Sequence, residues 1–185
     1  EYRENVCIML HKPPGYECTH KIGRHPSVFE LLPFQILDRG TQCIGRLDQD
    51  TSGLLLLTDD GQLNHLITSP KKGKSKVYEV ECKYEVSDKD IQKLLEGVTL
   101  KDFPDKTVSA LSVTKNPDSA TSIQMVLSEG KYHQVKRMVA AVSNRVEKLH
   151  RSKVCGLSLP EDLKEGEWRY VSPQEVQDML MDQSE

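Results

Sequence analysis

The stretch "CIGRLDQDTSGLLLLTDDG", Cys43 to Gly61, decides how this chain is read. An apolar run, Leu54 to Leu57, follows a turn holding two acids, Asp48 and Asp50. By its length and flanks, "GLLLLT" reads as a buried strand. Three roles compete for the acidic turn before it. Asp48, Asp50, Ser52 and Gly53 match the opening of an EF-hand loop, yet that loop needs a helix on each side, and its last position falls on Asp59 rather than a bidentate Glu. Asp, Thr, Ser and Gly are also what a tight turn uses. The third role is a catalytic carboxylate at a strand edge, since the Arg-Leu-Asp order sets Asp48 directly after an apolar anchor.

Outward from this stretch, strands and helices mix without regular βαβ alternation. "NVCIMLHKPPG" begins as a strand and breaks in a turn; "HPSVFELLP" carries a capping-box pattern, Ser27 with Glu30, and ends at Pro33. "DDGQLNHLITS" reads as a short helix opened by Asp59 or Asp60, and "KVYEVECKYEV" alternates as a strand. "SDKDIQKLLEG" is a helix between Ser87 as N-cap and Gly97. "VSALSVTKN" and "TSIQMVLSEG" read as strands joined by a turn, "RVEKLHR" and "VCGLSL" as further strand, and "SPQEVQDMLM" as a closing helix with Ser172 as N-cap and Pro173 at N1. A helix over His133 to Ser143 has Val135, Met138, Val139 and Val142 as its core stripe, with His133, Lys136, Arg137 and Ala140 on another face. The fold class expected is α+β with a mixed, mostly antiparallel sheet.

Composition bounds the rest. With 185 residues, 37% hydrophobic and 29% charged, the chain is long enough for a real core. No apolar run approaches the roughly 18 residues a membrane span requires. The five cysteines are scattered, none in a CxxC pair, so a disulfide framework or structural zinc is not expected and a reducing cytoplasm is. Net charge is −3, but from Pro160 onward there are eight acids and two bases, which leaves the remainder basic. "KYHQVKRMVAAVSNRVEKLHRSK" (131–153) has seven Lys/Arg against one Glu, and "SPKKGKSK" (69–76) has four Lys and no acid. A local basic surface beside an acidic tail suits a polyanion partner.

"GRLDQDTSGLLLLTDDG" closely resembles the GRLDxxxxGLLLLTxDG signature of the RsuA-type pseudouridine synthases, which isomerise uridine in ribosomal RNA. The likeness continues through "MLHKPPGY", "KVYEV" (76–80), "SEGKYHQVKRM" (128–138) and "LHR" (149–151), nearly the whole chain, and "EGKYHQVKRM" with "KLHR" looks more like the small-subunit 16S rRNA branch than the 23S branches. The resemblance implies a pseudouridine synthase fold with flanking helices and a central cleft, one catalytic domain over 1–185 in two lobes, roughly 1–68 and 69–185. Family members commonly carry an N-terminal S4 RNA-binding domain, absent from this sequence.

The same resemblance assigns roles. Asp48 matches the catalytic aspartate, Lys136 the position that pairs with it, Tyr78 the tyrosine that stacks on the target base, and Leu149 an apolar residue packed against the site. Gln134 falls within the matching "HQVKRM" stretch. Arg46, Lys76, Arg137 and Arg151 are candidate phosphate contacts, Arg46 alternatively an aid to base flipping, and Lys71, Lys72 and Lys74 are expected in a flexible loop that adds nonspecific affinity. The reaction is neither redox nor hydrolytic, so no cofactor and no metal are expected. A carboxylate working in a pocket that excludes water needs a cation beside it to remain ionised. The implied partner is ribosomal RNA, within a small-subunit assembly intermediate, met by a monomer. A 23S rRNA synthase and a noncatalytic RNA-binding module are the alternatives.

Overall fold

The signature strand lies inside a sheet that joins the two halves of the sequence. A computed structural model describes residues 4–69, 74–101, 103–130 and 133–181. In chain order the elements are β1 (Cys7–Lys12), a 3-10 turn (Val28–Leu31), α1 (Phe34–Leu37), β2 (Gln42–Ile44), β3 (Ser52–Thr58) and α2 (Gly61–Thr68). β4 (Lys76–Cys82), α3 (Asp88–Glu96), β5 (Val98–Leu100), β6 (Phe103–Val108), β7 (Ser112–Asn116) and β8 (Ser119–Leu127) follow. The chain continues with α4 (Gln134–Ala141), β9 (Val146–Val154), β10 (Leu157–Ser158), β11 (Trp168–Tyr170) and α5 (Pro173–Met181).

Among the described residues one sheet runs β11-β1-β3-β9-β4-β8-β7, with β2 beside β3 and β10 beside β9. Its pairings are antiparallel except β3 with β9, where Ser52 lies opposite His150 and Gly53 opposite Arg151. The fold is α+β with a mostly antiparallel sheet. β3 buries Gly53 through Thr58, as its unbroken apolar run requires when both faces are covered. Leu54 and Leu56 enter a cluster with Met9, Leu63, Ile67, Val154 and Met179, whereas Leu55 and Leu57 enter one with Ile8, Leu10, Val28 and Ile36. A third cluster gathers Val80, Met125 and Leu149 from the sheet with Leu94 of α3, Val135, Met138 and Val139 of α4, and Val142 just past its end. The segment from Val154 onward thus returns to pack with the N-terminal elements.

Local signals mostly act as their chemistry predicts. Ser87 and Asp90 form a reciprocal capping box on α3, Asp60 caps α2, and Ser172 with Glu175 does the same for α5. Four readings change. Ser27 accepts from the Phe29 amide and donates to the Thr19 carbonyl, so the segment closes as a 3-10 turn without a Glu30 box. β4 stops at Cys82 because Lys83 and Tyr84 bond to Arg145 and Asn144 instead of continuing the ladder. "VSALSVTKN" splits at Ser109–Leu111, its front end joining a β5–β6 hairpin that the sequence reading did not contain. Lys74 is no loop cation: it is 4% exposed and its Nζ donates to the Met179 and Leu180 carbonyls at 3.2 and 2.8 Å, closing the C-terminal end of α5. Lys71 and Lys72 lie outside the described residues.

Candidate active site

The acidic turn is held from beneath by a lysine. Lys12 is fully buried, and its ammonium donates to the carbonyls of Pro13 (3.0 Å), Gln49 (3.0 Å) and Thr51 (2.7 Å). Three donors meet three acceptors, which is how a buried ammonium is satisfied without a carboxylate. Burial pushes its pKa down to about 8, with the nearby Cys18, Asp50 and Asp48 working against the shift. The Gly15 amide also bonds to the Gln49 carbonyl at 2.8 Å, and the Thr51 amide closes the turn on the Asp48 carbonyl at 3.0 Å. Sequence reasoning missed Lys12, although "MLHKPPGY" was among the matching motifs.

Asp48 stands on this turn, its side chain 29% exposed, at the wall of a cavity of about 180 Å³. Lys136, two residues into α4, reaches across to it, Nζ to Oδ2 at 3.1 Å. The same Nζ contacts Asp50 Oδ1 at 2.7 Å, so Asp50 is a charge partner as well as a turn former. Partial burial disfavours the Lys136 charge, but the Asp50 and Asp48 carboxylates outweigh it and hold its pKa above the ordinary lysine value. Asp50 is held below the usual carboxylate range: its burial is outweighed by the Lys136 hydrogen bond and charge. His133 adds a third contact, Nε2 to Asp48 Oδ1 at 3.3 Å. It occupies the N-cap of α4 in a left-handed conformation, φ +50°, unusual for a residue with a Cβ.

The remaining wall is assembled from distant elements. β4 supplies Lys76 and Tyr78, β8 Leu127, α4 Gln134 and Val135, and β9 Leu149 and Arg151. Tyr78 is buried, flanked across the ladders by Met125 and Arg151. Gln134 is 4% exposed and donates to Glu129 Oε1 at 3.3 Å. Arg151 is only 3% exposed, and its Nε donates to the Leu54 carbonyl at 3.0 Å, which places it in the cavity wall rather than on an open phosphate-binding surface. Lys76 has its pKa lowered by burial and by the Arg151 charge. Arg46 is exposed where the turn meets the cavity. Arg137 alone of the nominated residues is not in the cavity lining; it is half-buried on the next position of α4.

A close approach of two strands makes this assembly possible. At Gly53, φ +118°, an added Cβ would meet the Arg151 carbonyl oxygen at 2.2 Å and its amide nitrogen at 2.6 Å. Only glycine lets β3 and β9 pair there, bringing the Asp48 turn onto Arg151 and Leu149.

Residues 6–141 match the family model described as RNA pseudouridylate synthase. This chain belongs to that family. Among its relatives, ribosomal small subunit pseudouridine synthase A of Vibrio vulnificus is 42% identical over 169 residues, covering 91% of this chain and 72% of that protein. The Escherichia coli K12 protein of the same name is 41% identical over 91% of this chain and 71% of its own. The branch is therefore RsuA-type, and the enzyme class is isomerase. A crystal structure of a pseudouridylate synthase superposes with a TM-score of 0.89 at 35% identity, covering 96% of this chain and 75% of that one. A chain from the structure of an H/ACA RNP bound to a substrate RNA containing 2′-deoxyuridine shares the fold at a TM-score of 0.59 and 16% identity, over 86% of this chain and 50% of its own.

Proposed function

We propose that this chain converts a specific uridine of small-subunit ribosomal RNA to pseudouridine, with Asp48 as the catalytic carboxylate. The observation that carries the proposal is the Asp48–Lys136 pair at 3.1 Å, set at the wall of a cavity that also holds Tyr78, Lys76 and Arg151. The named small-subunit relatives supply the RNA class.

The chemistry follows from what must be broken and made. Uracil leaves ribose at N1–C1′, turns, and rejoins through C5, and the C5 proton is released while N1 gains one. A carboxylate beside C1′ can attack it or stabilise positive charge developing on the sugar, and can accept a proton later. Lys136, 3.1 Å from it, pairs with that carboxylate and aims it. A base in structured RNA is out of reach until unstacked, so the uridine flips into the cavity, where the Tyr78 ring offers a stacking face and Leu149 an apolar wall. Lys76 and Arg151, cationic and partly or fully buried there, suit the uracil oxygens or the phosphate of the flipped nucleotide; Arg46 and Arg137 suit the flanking backbone. The protein works as a monomer on an assembling small-subunit particle.

Tritium release from small-subunit rRNA labelled at uridine C5 tests this, because joining ribose to C5 must expel that hydrogen. Release saturating near one equivalent per particle, and lost in Asp48→Asn with RNA binding retained, is the expected result. Binding without release by the wild type points instead to a noncatalytic module, and release from the large-subunit RNA instead to the other branch.

A further inference from the structure

A cationic loop with an exposed apolar side chain lies beside the catalytic cavity, and the chemistry derived above does not use it. From Cys18 to Phe29 the sequence holds Lys21, Arg24 and two histidines and no acid. The base of the loop is pinned twice: the Glu17 amide donates to the Pro26 carbonyl and the Val28 amide to the Glu17 carbonyl, each at 2.9 Å. His20 stacks on the Phe29 ring with centroids 3.7 Å apart, and its Nε2 lies 3.0 Å from Gln42 Oε1 of β2. A short surface segment closed at its ends in this way is an Ω-loop, a form that frequently carries function. Lys21, Ile22, Gly23 and Arg24 are all exposed in the middle of it, Ile22 completely.

Continuous hollow surface joins the loop to the site. Gly45 and Arg46 line both the catalytic cavity and a second cavity of about 230 Å³. His20 and Phe29 line that second cavity and a third, of about 380 Å³, walled by Lys21, Ile22 and Arg24. A furrow therefore leads from the Asp48 turn past Arg46 to the loop, with three cations along it. The acids facing it are Glu30, in the wall of the third cavity, and Glu17, whose Oε2 lies 3.7 Å from where a Cβ on Gly23 would stand. Leu37 of α1 lines the same end, and Phe34, one turn earlier on that face, is 75% exposed. One exposed apolar residue needs no explanation, but three of the eight large apolar side chains exposed among the described residues gather here. Cations that track a backbone beside exposed apolar and aromatic side chains are how a single nucleic-acid strand is held.

We propose that this loop is a second RNA contact, gripping the unpaired strand that leads to the flipped uridine, with Lys21 and Arg24 on its phosphates and Ile22 against one of its unstacked bases. That the strand leads to a uridine rests on the function proposed above. Phosphate contacts fix where the strand runs, and an apolar side chain covers a base face that has lost its stacking neighbour. A paired flank offers no such face, so the loop favours sites in loops or irregular helices, where flipping also costs least. Because the loop is pinned before RNA arrives, little ordering entropy opposes the contact.

The full chain, Ile22→Ala, and a double variant with Lys21→Gln and Arg24→Gln are compared on C5-tritiated small-subunit rRNA in a partly assembled particle. Affinity is measured across a salt series, tritium release in single turnover, and RNA protection by hydroxyl-radical footprinting. The double variant should weaken binding and lower the slope of log affinity against log salt by about 1.4, at about 0.7 per phosphate contact on a single strand. Ile22→Ala should weaken binding about 5-fold with the salt slope unchanged, the small end of the range for a base-stacking contact. Both should unprotect the same nucleotides to one side of the modified uridine, and both should keep the wild-type release rate at saturating RNA and the wild-type melting temperature. Affinity and salt slope within twofold of wild type in both variants overturn the assignment of the loop. So does a release rate that falls at saturation while affinity holds, because the loop would then act on the chemistry. If the wild type itself releases no tritium, the synthase function fails, and the salt slope and footprint alone decide whether the loop holds RNA.

Discussion

Replacing Gly53 by alanine tests the reasoning at its tightest point. The backbone there has φ +118°, a region that L side chains rarely adopt, and holding a Cβ in it costs about 1–3 kcal/mol. The new methyl would also stand 2.2 Å from the Arg151 carbonyl oxygen and 2.9 Å from its carbonyl carbon, backbone atoms that no rotamer change can move. Overpacking of this sort adds about 1–3 kcal/mol. Together the two effects give a loss of about 2–6 kcal/mol, a large part of the 5–15 kcal/mol by which a typical native state is favoured. Relief requires β3 and β9 to separate where Ser52 meets His150 and Gly53 meets Arg151, and this pulls the Asp48 turn off the cavity wall. Urea unfolding of Gly53→Ala should show a midpoint lowered by about 1 M or more, since m is roughly 1–3 kcal/mol/M in urea. Tritium release from the surviving folded fraction should drop on the order of 100-fold. A variant within about 1 kcal/mol of wild type, with normal turnover, would refute the claim that this crossing admits only glycine.

Lys136→Met should lower kcat/KM on the order of 100- to 1000-fold, the range for removing one electrostatic partner of a reacting group, while Lys136→Arg recovers most of it. Because the pair is partly exposed, the melting temperature should barely move. Asp50 shares Lys136 with Asp48, so Asp50→Asn separates the two acids: its turnover should fall far less than that of Asp48→Asn, and equal losses would reassign the catalytic role. Lys12 gives a pH signature. Its pKa is pushed down to about 8 in the fold while the unfolded chain keeps the ordinary value near 10.5, so between those limits the unfolded chain binds more protons and Lys12's contribution to stability rises with pH. The stability difference between wild type and Lys12→Met should climb across that window; a flat difference contradicts the burial of a titrating ammonium. Lys74→Ala should destabilise α5 through the freed Met179 and Leu180 carbonyls, by about 1–3 kcal/mol in thermal unfolding, without changing RNA affinity.

Much of this molecule is legible before any fold is known, wherever the deciding contacts are local. The period of Val135, Met138 and Val139 sets the buried stripe of α4, the Ser87–Asp90 and Ser172–Glu175 boxes open α3 and α5, and the unbroken Leu54–Leu57 run demands a strand covered on both faces. Asp48, Tyr78 and Lys136 stand out only through the family resemblance of their motifs, and the fold brings all three to one cavity. What no local pattern contains are contacts between parts of the chain far apart in sequence. Whether Lys74 faces RNA or a helix end depends on where α5 returns, and whether Asp50 merely turns the chain depends on how α4 approaches. Lys12 looks like any surface lysine until three carbonyls from two segments converge on it. Arg151 looks like any surface cation until β9 is paired with β3 and its Nε meets the Leu54 carbonyl in the cavity wall. Charged side chains are the ones misread because their long stems suit water or burial equally well, and only the tertiary structure supplies the partners that make burial affordable.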